Sequence, residues 1–160
     1  MAELTIRKAT EKDAGLILRF VKELAGYEKA VHEVTATEAD IKTSLFGDSA
    51  TAHALICSNG ETPVGFAVYF FNYSTWLGKN GLYLEDLYVS PESRGTGAGK
   101  AILKHLAGIA VNKNCSRFEW SVLDWNAPAI QFYESIGARP MNEWVSYRLD
   151  GNALAAFAGS

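Results

Sequence analysis

The feature that most constrains this chain is a glycine-rich segment between a predicted strand and a predicted helix. Its three glycines stand at alternate positions between two basic residues: Gly95, Gly97 and Gly99, between Arg94 and Lys100. Backbone N–H groups at the start of a helix attract anions, and glycine lets a phosphate approach them closely. A tight turn that needs positive φ is the alternative, but one or two glycines would meet that need. The spacing therefore favours a phosphate-binding turn.

Two common nucleotide-binding patterns do not fit this turn. A P-loop requires G-x-x-x-x-G-K-[ST], and here Arg94 stands at the first glycine position while Ala101 replaces the hydroxyl residue. The dinucleotide pattern G-x-G-x-x-G ends on Lys100 when it starts at Gly95, and on Ile102 when it starts at Gly97. A mononucleotide or dinucleotide site is therefore disfavoured.

Hydrophobic periodicity predicts a mixed α/β (α+β) fold. Alternation predicts strands over 4–8, 51–58, 64–73, 82–89, 118–123 and 144–149, whereas a 3.6-residue period predicts helices after Thr10, after Thr37, over 97–113 and after Asn126. Asn59-Gly60 predicts a hairpin between the second and third strands. The order is an antiparallel meander that runs into a β-α-β crossover, with helices on the faces of the sheet.

Length and composition indicate one ordinary globular domain over residues 1–160. Hydrophobic residues make up 48% of the chain, and no apolar run approaches the ~20 residues that span a bilayer. Without a signal-peptide pattern, we expect a cytoplasmic protein with no membrane partner. The net charge of -3 disfavours a nucleic-acid partner, and Cys57 and Cys115 form neither a disulfide framework nor a metal site.

The turn fits the pattern [Q/R]-x-x-G-x-[G/A], and here the sequence resembles the GNAT acetyltransferase superfamily. The resemblance is strongest to the spermidine/spermine and thialysine N-acetyltransferases. It runs from about residue 4 to the end, through Gly26-Tyr27-Glu28, Tyr83-Leu-Glu-Asp-Leu-Tyr-Val89, the turn, Trp125-Asn126 and Phe132-Tyr133. It implies the GNAT fold, with six to seven mostly antiparallel strands and about four helices.

The resemblance implies acetyl-CoA as co-substrate, with no metal. The turn would bind its diphosphate, backbone groups of the preceding strand its acetyl and pantetheine portions, and the last predicted helix would line the pantetheine groove. The implied binding residues are Leu87, Tyr88, Val89, Arg94, Gly95, Thr96, Gly97, Ala98, Gly99, Lys100, Asn126 and Tyr133.

Transfer to an amine requires a neutral nucleophile. A lysine-like amine has a pKa of ~10.4, so its deprotonation near pH 7.4 costs about 4 kcal/mol. The resemblance places the general base at Glu85, which can equally bind the cation, or be a solvated strand residue with no catalytic role. Strand alternation predicts that Asp86 points to the opposite face.

Tyr133 is the candidate acid toward the leaving thiolate. Asn126 is predicted to cap its helix, and Tyr133 follows seven residues later on the same face. With reference pKa values of ~10 for tyrosine and ~8.5 for a thiol, full proton transfer is uphill by about 2 kcal/mol. Tyr133 is therefore expected to act mainly as a hydrogen-bond donor. The alternative from periodicity alone is an aromatic core residue.

The acceptor half departs from the polyamine enzymes. Tyr27 and Glu28 suit an alkylammonium group, although an inward-packed Tyr beside an exposed Glu is the plainer interpretation. Glu119 is a further candidate substrate-binding residue, although the family usually has histidine there, and Val145 stands where polyamine enzymes carry an acidic residue. Fewer carboxylates make a diamine or a lysine-like amino acid at least as suitable as a polyamine.

We therefore expect an acetyl-CoA-dependent N-acetyltransferase acting on the primary amine of a small molecule. An enzyme acting on protein N-termini or lysine side chains, and a non-catalytic acetyl-CoA-binding module, are the alternatives. Retention of both Glu85 and Tyr133 counts against the last of these. By resemblance alone, we expect a homodimer.

Overall fold

The computed structural model describes residues 3–159. Its strands are Leu4–Lys8 (β1), Ala52–Asn59 (β2), Thr62–Ser74 (β3), Lys79–Val89 (β4) and Phe118–Trp120 (β5). Its α-helices are Ala14–Tyr27 (α1), Glu38–Phe46 (α2), Ala98–Asn112 (α3), Ala127–Ser135 (α4) and Gly151–Gly159 (α5). No helix among these residues is long and apolar enough to cross a membrane.

The strands form one mixed sheet in the order β1-β2-β3-β4-β5. The first four pair antiparallel: short turns join β2 to β3 and β3 to β4, whereas the long segment that contains α1 and α2 joins β1 to β2. The predicted hairpin is confirmed, since Asn59 pairs with Thr62 around Gly60, whose φ is 61°. β5 pairs parallel to β4 after the crossover through α3. The predicted meander followed by a β-α-β unit is therefore confirmed.

A hydrophobic core joins α1 to the sheet. Ile17, Phe20 and Leu24 form its helical stripe, and they contact Ala54, Ile56, Phe66 and Tyr88 of β2, β3 and β4. The rings of Phe20 and Phe66 stack at 5.6 Å. α2 contacts α1 and β2, while α3 packs on β1, β3 and β4 through a buried stripe that includes Ile102 and Leu106. Each fully buried large side chain contributes roughly 1.5–3 kcal/mol of hydrophobic stabilisation.

The chain falls into two compact units, one up to Ser121 and one from Val122. The first contains the whole sheet and α1 to α3; the second contains α4, α5 and the segment between them. The single domain over residues 1–160 stays a prediction, and residues 1, 2 and 160 lie outside the described chain.

The strand predicted over 144–149 is wrong, because those residues form no strand in the structure. A segment with alternating apolar residues forms a strand only when it pairs with another strand, and here the side chain of Tyr147 is 96% exposed. Between residues 3 and 159 the sheet therefore has five strands rather than six to seven, and α5 makes five α-helices rather than about four. The fold class itself is confirmed.

Candidate active site

A β-bulge interrupts β4 at Glu85. Val68 of β3 pairs with Asp86, and the next residue, Tyr69, pairs with Leu84. Glu85 is therefore an extra residue on β4 that has no pairing partner on β3. Bulges of this kind occur beside active sites, where they change the direction of a side chain. The bulge thus marks the strand at the candidate base.

The bulge reverses the side-chain alternation on β4. Leu84 and Asp86 are two residues apart, but their partners Tyr69 and Val68 are adjacent and so belong to opposite faces. Asp86 shares the face of Val68, which packs against the core beneath α1. The sequence expectation for Asp86 assumed uninterrupted alternation, and that assumption is wrong.

The bulge also reverses which edge of β4 each backbone group faces. The Leu82 N–H donates to the Arg117 carbonyl on the β5 side (2.9 Å), whereas the Ser90 N–H donates to the Val64 carbonyl on the β3 side (2.8 Å). In a regular strand, two N–H groups that are eight residues apart would face the same edge. On this side of the bulge, the N–H groups of Asp86 and Tyr88 face β3 like that of Ser90. The N–H groups of Leu87 and Val89 alternate with them and therefore face away from β3.

Those N–H groups lie where the pairing with β5 has ended. The last parallel pair is Leu84 with Trp120, and β4 continues for five residues to Val89. Buried backbone donors require partners, so donors at an opened strand edge are suited to an amide or carbonyl ligand. The strand thus offers Leu87 and Val89 to an extended ligand, with Tyr88 between them buried on the α1 face.

The glycine-rich turn follows β4 directly. A 3-10 turn, Pro91–Ser93, leads through Gly95 (φ 83°) and Gly97 (φ 90°) into α3, and the Thr96 hydroxyl donates to the Ser93 carbonyl (2.6 Å). The left-handed conformation explains two of the three glycines, as the turn alternative required. A Cβ atom at either would meet nothing within 4 Å, so open space lies above the turn.

The start of α3 adds anion-binding groups beside that space. The first N–H groups of a helix have no acceptor within it, which here leaves Ala98, Gly99 and Lys100 with donors for a ligand. Gly99 lies close to the end of β4, because a Cβ there would approach Val89 Cγ2 at 3.9 Å. A diphosphate fits this combination of open space and N-terminal helix donors.

Arg94 joins the turn to the end of α1. Its Nε donates to the Val89 carbonyl (3.1 Å), and its guanidinium carbon lies 5.2 Å from the centre of the Tyr27 ring and 5.7 Å from that of Tyr88. The Tyr88 hydroxyl donates in turn to Glu23 (2.9 Å). The face of Tyr27, predicted to receive a substrate cation, thus carries a cation of the chain itself.

Three carboxylates interact at this end of the sheet. Burial raises the pKa of Asp86 to about 6, and the charges of Glu85 and Glu28 add to that shift. Burial also raises the pKa of Glu28 at the end of α1. Glu85 is exposed. The sequence analysis selected Glu28 and Glu85 but missed Asp86, because it expected Asp86 on the face of the strand opposite Glu85. The Glu85-Asp86 pair could be found in the sequence, but the bulge could not.

Glu119 lies on β5 opposite Tyr83, two positions before the bulge. The Tyr83 hydroxyl and Ser121 Oγ form a hydrogen bond (2.8 Å), and the Tyr83 ring packs against Phe70 at 5.2 Å. Glu119 is half-buried. Glu119 therefore lies on the strand that neighbours β4, opposite a position two residues before Glu85.

The second unit carries Asn126 and Tyr133. The Asn126 side chain accepts a hydrogen bond from the Ala129 N–H (3.4 Å) at the start of α4, and Pro128 lies in its first turn. The predicted cap is confirmed. Tyr133 follows within α4, beside Phe132 at a ring distance of 6.0 Å. Tyr133 thus lies seven residues after the cap of its helix, and its place on the same face as Asn126 stays a prediction.

This fold, with an open strand edge beside a glycine-rich helix start, is that of an acetyltransferase. Residues 18–138 match the acetyltransferase (GNAT) family, and the chain belongs to that family. Enzymes of the GNAT family use acetyl-CoA as co-substrate. The protein is therefore an acyltransferase.

Two curated relatives and one solved structure narrow the similarity. The chain is 42% identical to a thialysine N-epsilon-acetyltransferase of Mus musculus, with 99% of each chain covered. It is 36% identical to spermidine/spermine N(1)-acetyltransferase-like protein 1 of Homo sapiens, over 96% of this chain and 23% of that protein. The structure of an integron cassette protein of V. cholerae superposes with a TM-score of 0.83 at 30% identity, covering 100% of this chain and 99% of that one. The resemblance drawn from the motifs is confirmed.

Proposed function

We propose that the protein transfers the acetyl group of acetyl-CoA to the terminal primary amine of a small, lysine-like molecule. The observation that carries this proposal is the bulge at Glu85. It turns the N–H groups of Leu87 and Val89 toward the opened edge of β4, immediately before the glycine-rich turn. The bulge thus brings a carboxylate, an amide-binding edge and a phosphate-binding turn into line along β4.

The co-substrate would be held by two sets of groups. Backbone donors from Gly95 to Lys100, with the Arg94 guanidinium, suit a diphosphate. Donors of Leu87 and Val89 suit a pantetheine amide or polarise a carbonyl. Acetyl-CoA supplies an acetyl thioester. The fit rests on the open space above Gly95 and Gly97.

The carboxylates Glu28, Glu85 and Asp86 suit the amine. They attract its ammonium form, which raises the amine pKa and opposes deprotonation. A carboxylate with a raised pKa accepts the proton with a smaller penalty, and this favours Asp86 as a second acceptor beside the exposed Glu85. Glu85 would take the proton directly or through water, with Asp86 as the second acceptor, while Glu28 holds the cation.

Tyr133 would serve the leaving thiolate. Its hydroxyl is protonated at neutral pH at the reference pKa of ~10, so it can donate a hydrogen bond as negative charge develops on sulfur. Asn126 would line the pantetheine groove at the start of the same helix. Support for both assignments comes from family resemblance and from their spacing along α4.

The relatives favour an amino acid over a polyamine as acceptor. The mouse relative is named for the epsilon amine of thialysine, and it matches this chain from end to end. The human polyamine-named relative is less similar and much longer. A lysine-like amine also suits an acceptor half that lacks the carboxylate replaced by Val145. We therefore infer thialysine or a close analogue as the preferred acceptor.

The test is an amine panel in which free thiol release from acetyl-CoA is followed. We expect the highest kcat/KM for thialysine, lower values for lysine, diamines and spermidine, and none for a peptide with a blocked lysine side chain. Turnover of peptides alone, or binding of acetyl-CoA without any turnover, would contradict the proposal. Glu85→Gln should lower kcat about 100-fold or more, whereas the exposed control Glu61→Gln in the β2–β3 turn should leave it unchanged.

We also infer that the protein forms a homodimer. The second unit exposes a set of large apolar side chains, and exposed apolar clusters mark interaction surfaces. These are Trp144 (65%), Val145 (76%), Tyr147 (96%) and Phe157 (74%). Light scattering after gel filtration should give twice the chain mass, and Tyr147→Asp should shift it toward the mass of one chain. The cytoplasmic location stays a prediction.

A further inference from the structure

Arg94 lies between the two substrate regions and contacts both. From the turn, its side chain folds back to the Val89 carbonyl and to the rings of Tyr27 and Tyr88. Tyr27 ends α1 and precedes Glu28, which belongs to the carboxylate group. The guanidinium therefore connects a residue suited to the amine with the strand edge suited to the pantetheine arm.

In this position Arg94 competes with an ammonium ion. Arginine stays protonated at all working pH values, and its cation occupies the ring face that an alkylammonium would use. Two cations on one tyrosine face repel each other. Binding of an amine beside Tyr27 is therefore weaker while Arg94 remains there.

Arg94 also has a stronger alternative partner. A guanidinium pairs with a diphosphate through charged hydrogen bonds, which are shorter and stronger than its contacts with a neutral carbonyl and two tyrosine rings. Arg94 directly precedes Gly95, where the open space of the turn begins. A diphosphate in that space would draw the guanidinium from Tyr27 and release the Val89 carbonyl as well.

We propose that Arg94 is a two-position residue that makes amine binding depend on prior binding of the CoA diphosphate. In one position it lies over Tyr27 and binds the Val89 carbonyl; in the other it binds the diphosphate and leaves both groups to the substrates. This inference rests on the proposed function, since it assigns the order in which that site fills. By linkage, the amine must strengthen CoA binding by the same factor.

Calorimetry tests the dependence without turnover. Thialysine is titrated into the protein alone and into protein saturated with CoA, which carries no acetyl group. For the unmodified protein we expect thialysine to bind about 3- to 30-fold more tightly with CoA, as the strength of a cation–π contact implies. In Arg94→Gln, thialysine should bind the CoA-free protein more tightly than it binds the unmodified protein, and CoA should add less than twofold.

Lys100→Gln is the matched control. Lys100 is the other flanking cation of the turn, and no contact with Tyr27 is found for it among residues 3–159. We expect this variant to weaken CoA binding through the lost charge but to keep the ratio of thialysine affinities with and without CoA. Equal ratios in the unmodified protein, Arg94→Gln and Lys100→Gln would overturn the inference.

NMR of arginine-labelled protein tests the movement without any amine. The Arg94 side-chain signals, assigned by their loss in Arg94→Gln, should be shielded by the two tyrosine rings. Tyr27→Leu should reduce that shielding, and CoA should remove most of it in the unmodified protein. Unshielded signals, or signals that CoA does not move, would overturn the inference. If Arg94 moves but no amine is turned over, the proposed function fails while the exchange of Arg94 stands.

Discussion

The two halves of β4 differ in what they pair with. Residues 79–84 pair with β3, residues 82–84 pair with β5 as well, and Leu82 and Leu84 are almost fully buried. Residues 86–89 pair with β3 alone, follow the exposed Glu85, and lead into the glycine-rich turn. One bulge residue separates the halves.

The difference shows where chemistry can be built on a stable sheet. In the first half, residues 82–84 pair with strands on both sides and Leu82 and Leu84 are buried, so that half contributes stability. In the second half, the edge that faces away from β3 keeps donors for a ligand. The proposed site therefore begins at the residue where the ladder becomes incomplete.

The largest expected effect is on stability, from Leu84→Ala. Leu84 is 4% exposed, and truncation of a buried leucine removes about 2–5 kcal/mol of unfolding free energy. Glu85→Ala, one residue later, should change it by less than about 1 kcal/mol. Urea unfolding of both variants measures the difference. A comparable loss from Glu85→Ala would erase the distinction between the halves.

Gly97→Val should weaken acetyl-CoA binding about 100-fold or more. A β-branched residue is strained at a φ of 90°, and its side chain would enter the space above the turn. Gly60→Val is the control, because Gly60 has a φ of 61° and equally open surroundings in the β2–β3 hairpin. It should cost similar strain without changing the affinity that titration calorimetry reports. An unchanged affinity in Gly97→Val would rule out the turn as the diphosphate site.

Asp86→Asn should stabilise the protein at pH 7.5 by about 1–3 kcal/mol. The pKa of Asp86 is raised to about 6 in the folded protein from an ordinary value near 3.8, so folding holds the proton more tightly. Stability of the unmodified protein is thus highest below pH 4 with respect to this group, falls between pH 4 and 6, and is constant above. The stabilisation should therefore fall to roughly 0.5 kcal/mol at pH 4, as thermal unfolding at both values will measure. A destabilised variant at pH 7.5 would mean that Asp86 is held by a favourable partner.

The smallest of these effects is expected from Tyr133→Phe in the second unit. Loss of one hydrogen bond to a developing charge should lower kcat at least tenfold and leave acetyl-CoA affinity within about twofold. Tyr73→Phe, on the exposed end of β3, is the control and should leave kcat unchanged. If steady-state rates are equal in Tyr133→Phe and the unmodified protein, the thiolate is served by another group.

Local sequence signals predicted the frame of the candidate site well. Thr37 and Asn126 cap their helices, because side-chain oxygens satisfy the first N–H groups wherever a helix begins. Gly95 and Gly97 adopt the left-handed conformation that only glycine enters without strain. Each of these features depends on a few consecutive residues, so each was readable from the sequence.

The features that the sequence did not reveal depend on residues far apart in the chain. The bulge at Glu85 exists because of how β4 registers against β3, and it sets Asp86 on the face of Val68. The contact of Arg94 with Tyr27 spans 67 positions. The alternating segment over 144–149 predicted a strand, but a strand needs a partner strand to pair with, and no pairing forms there.

The chemistry of the protein was thus determined in outline by the sequence alone. Glycines, caps and carboxylates are local requirements. Motifs that contain them identified the family and predicted a phosphate-binding turn, and the family resemblance implied the candidate acid and base. The tertiary structure determined which way the side chains and backbone N–H groups of the candidate site point. One extra residue in a ladder reverses every later backbone and side-chain direction, and only pairing with a distant strand determines where that extra residue falls.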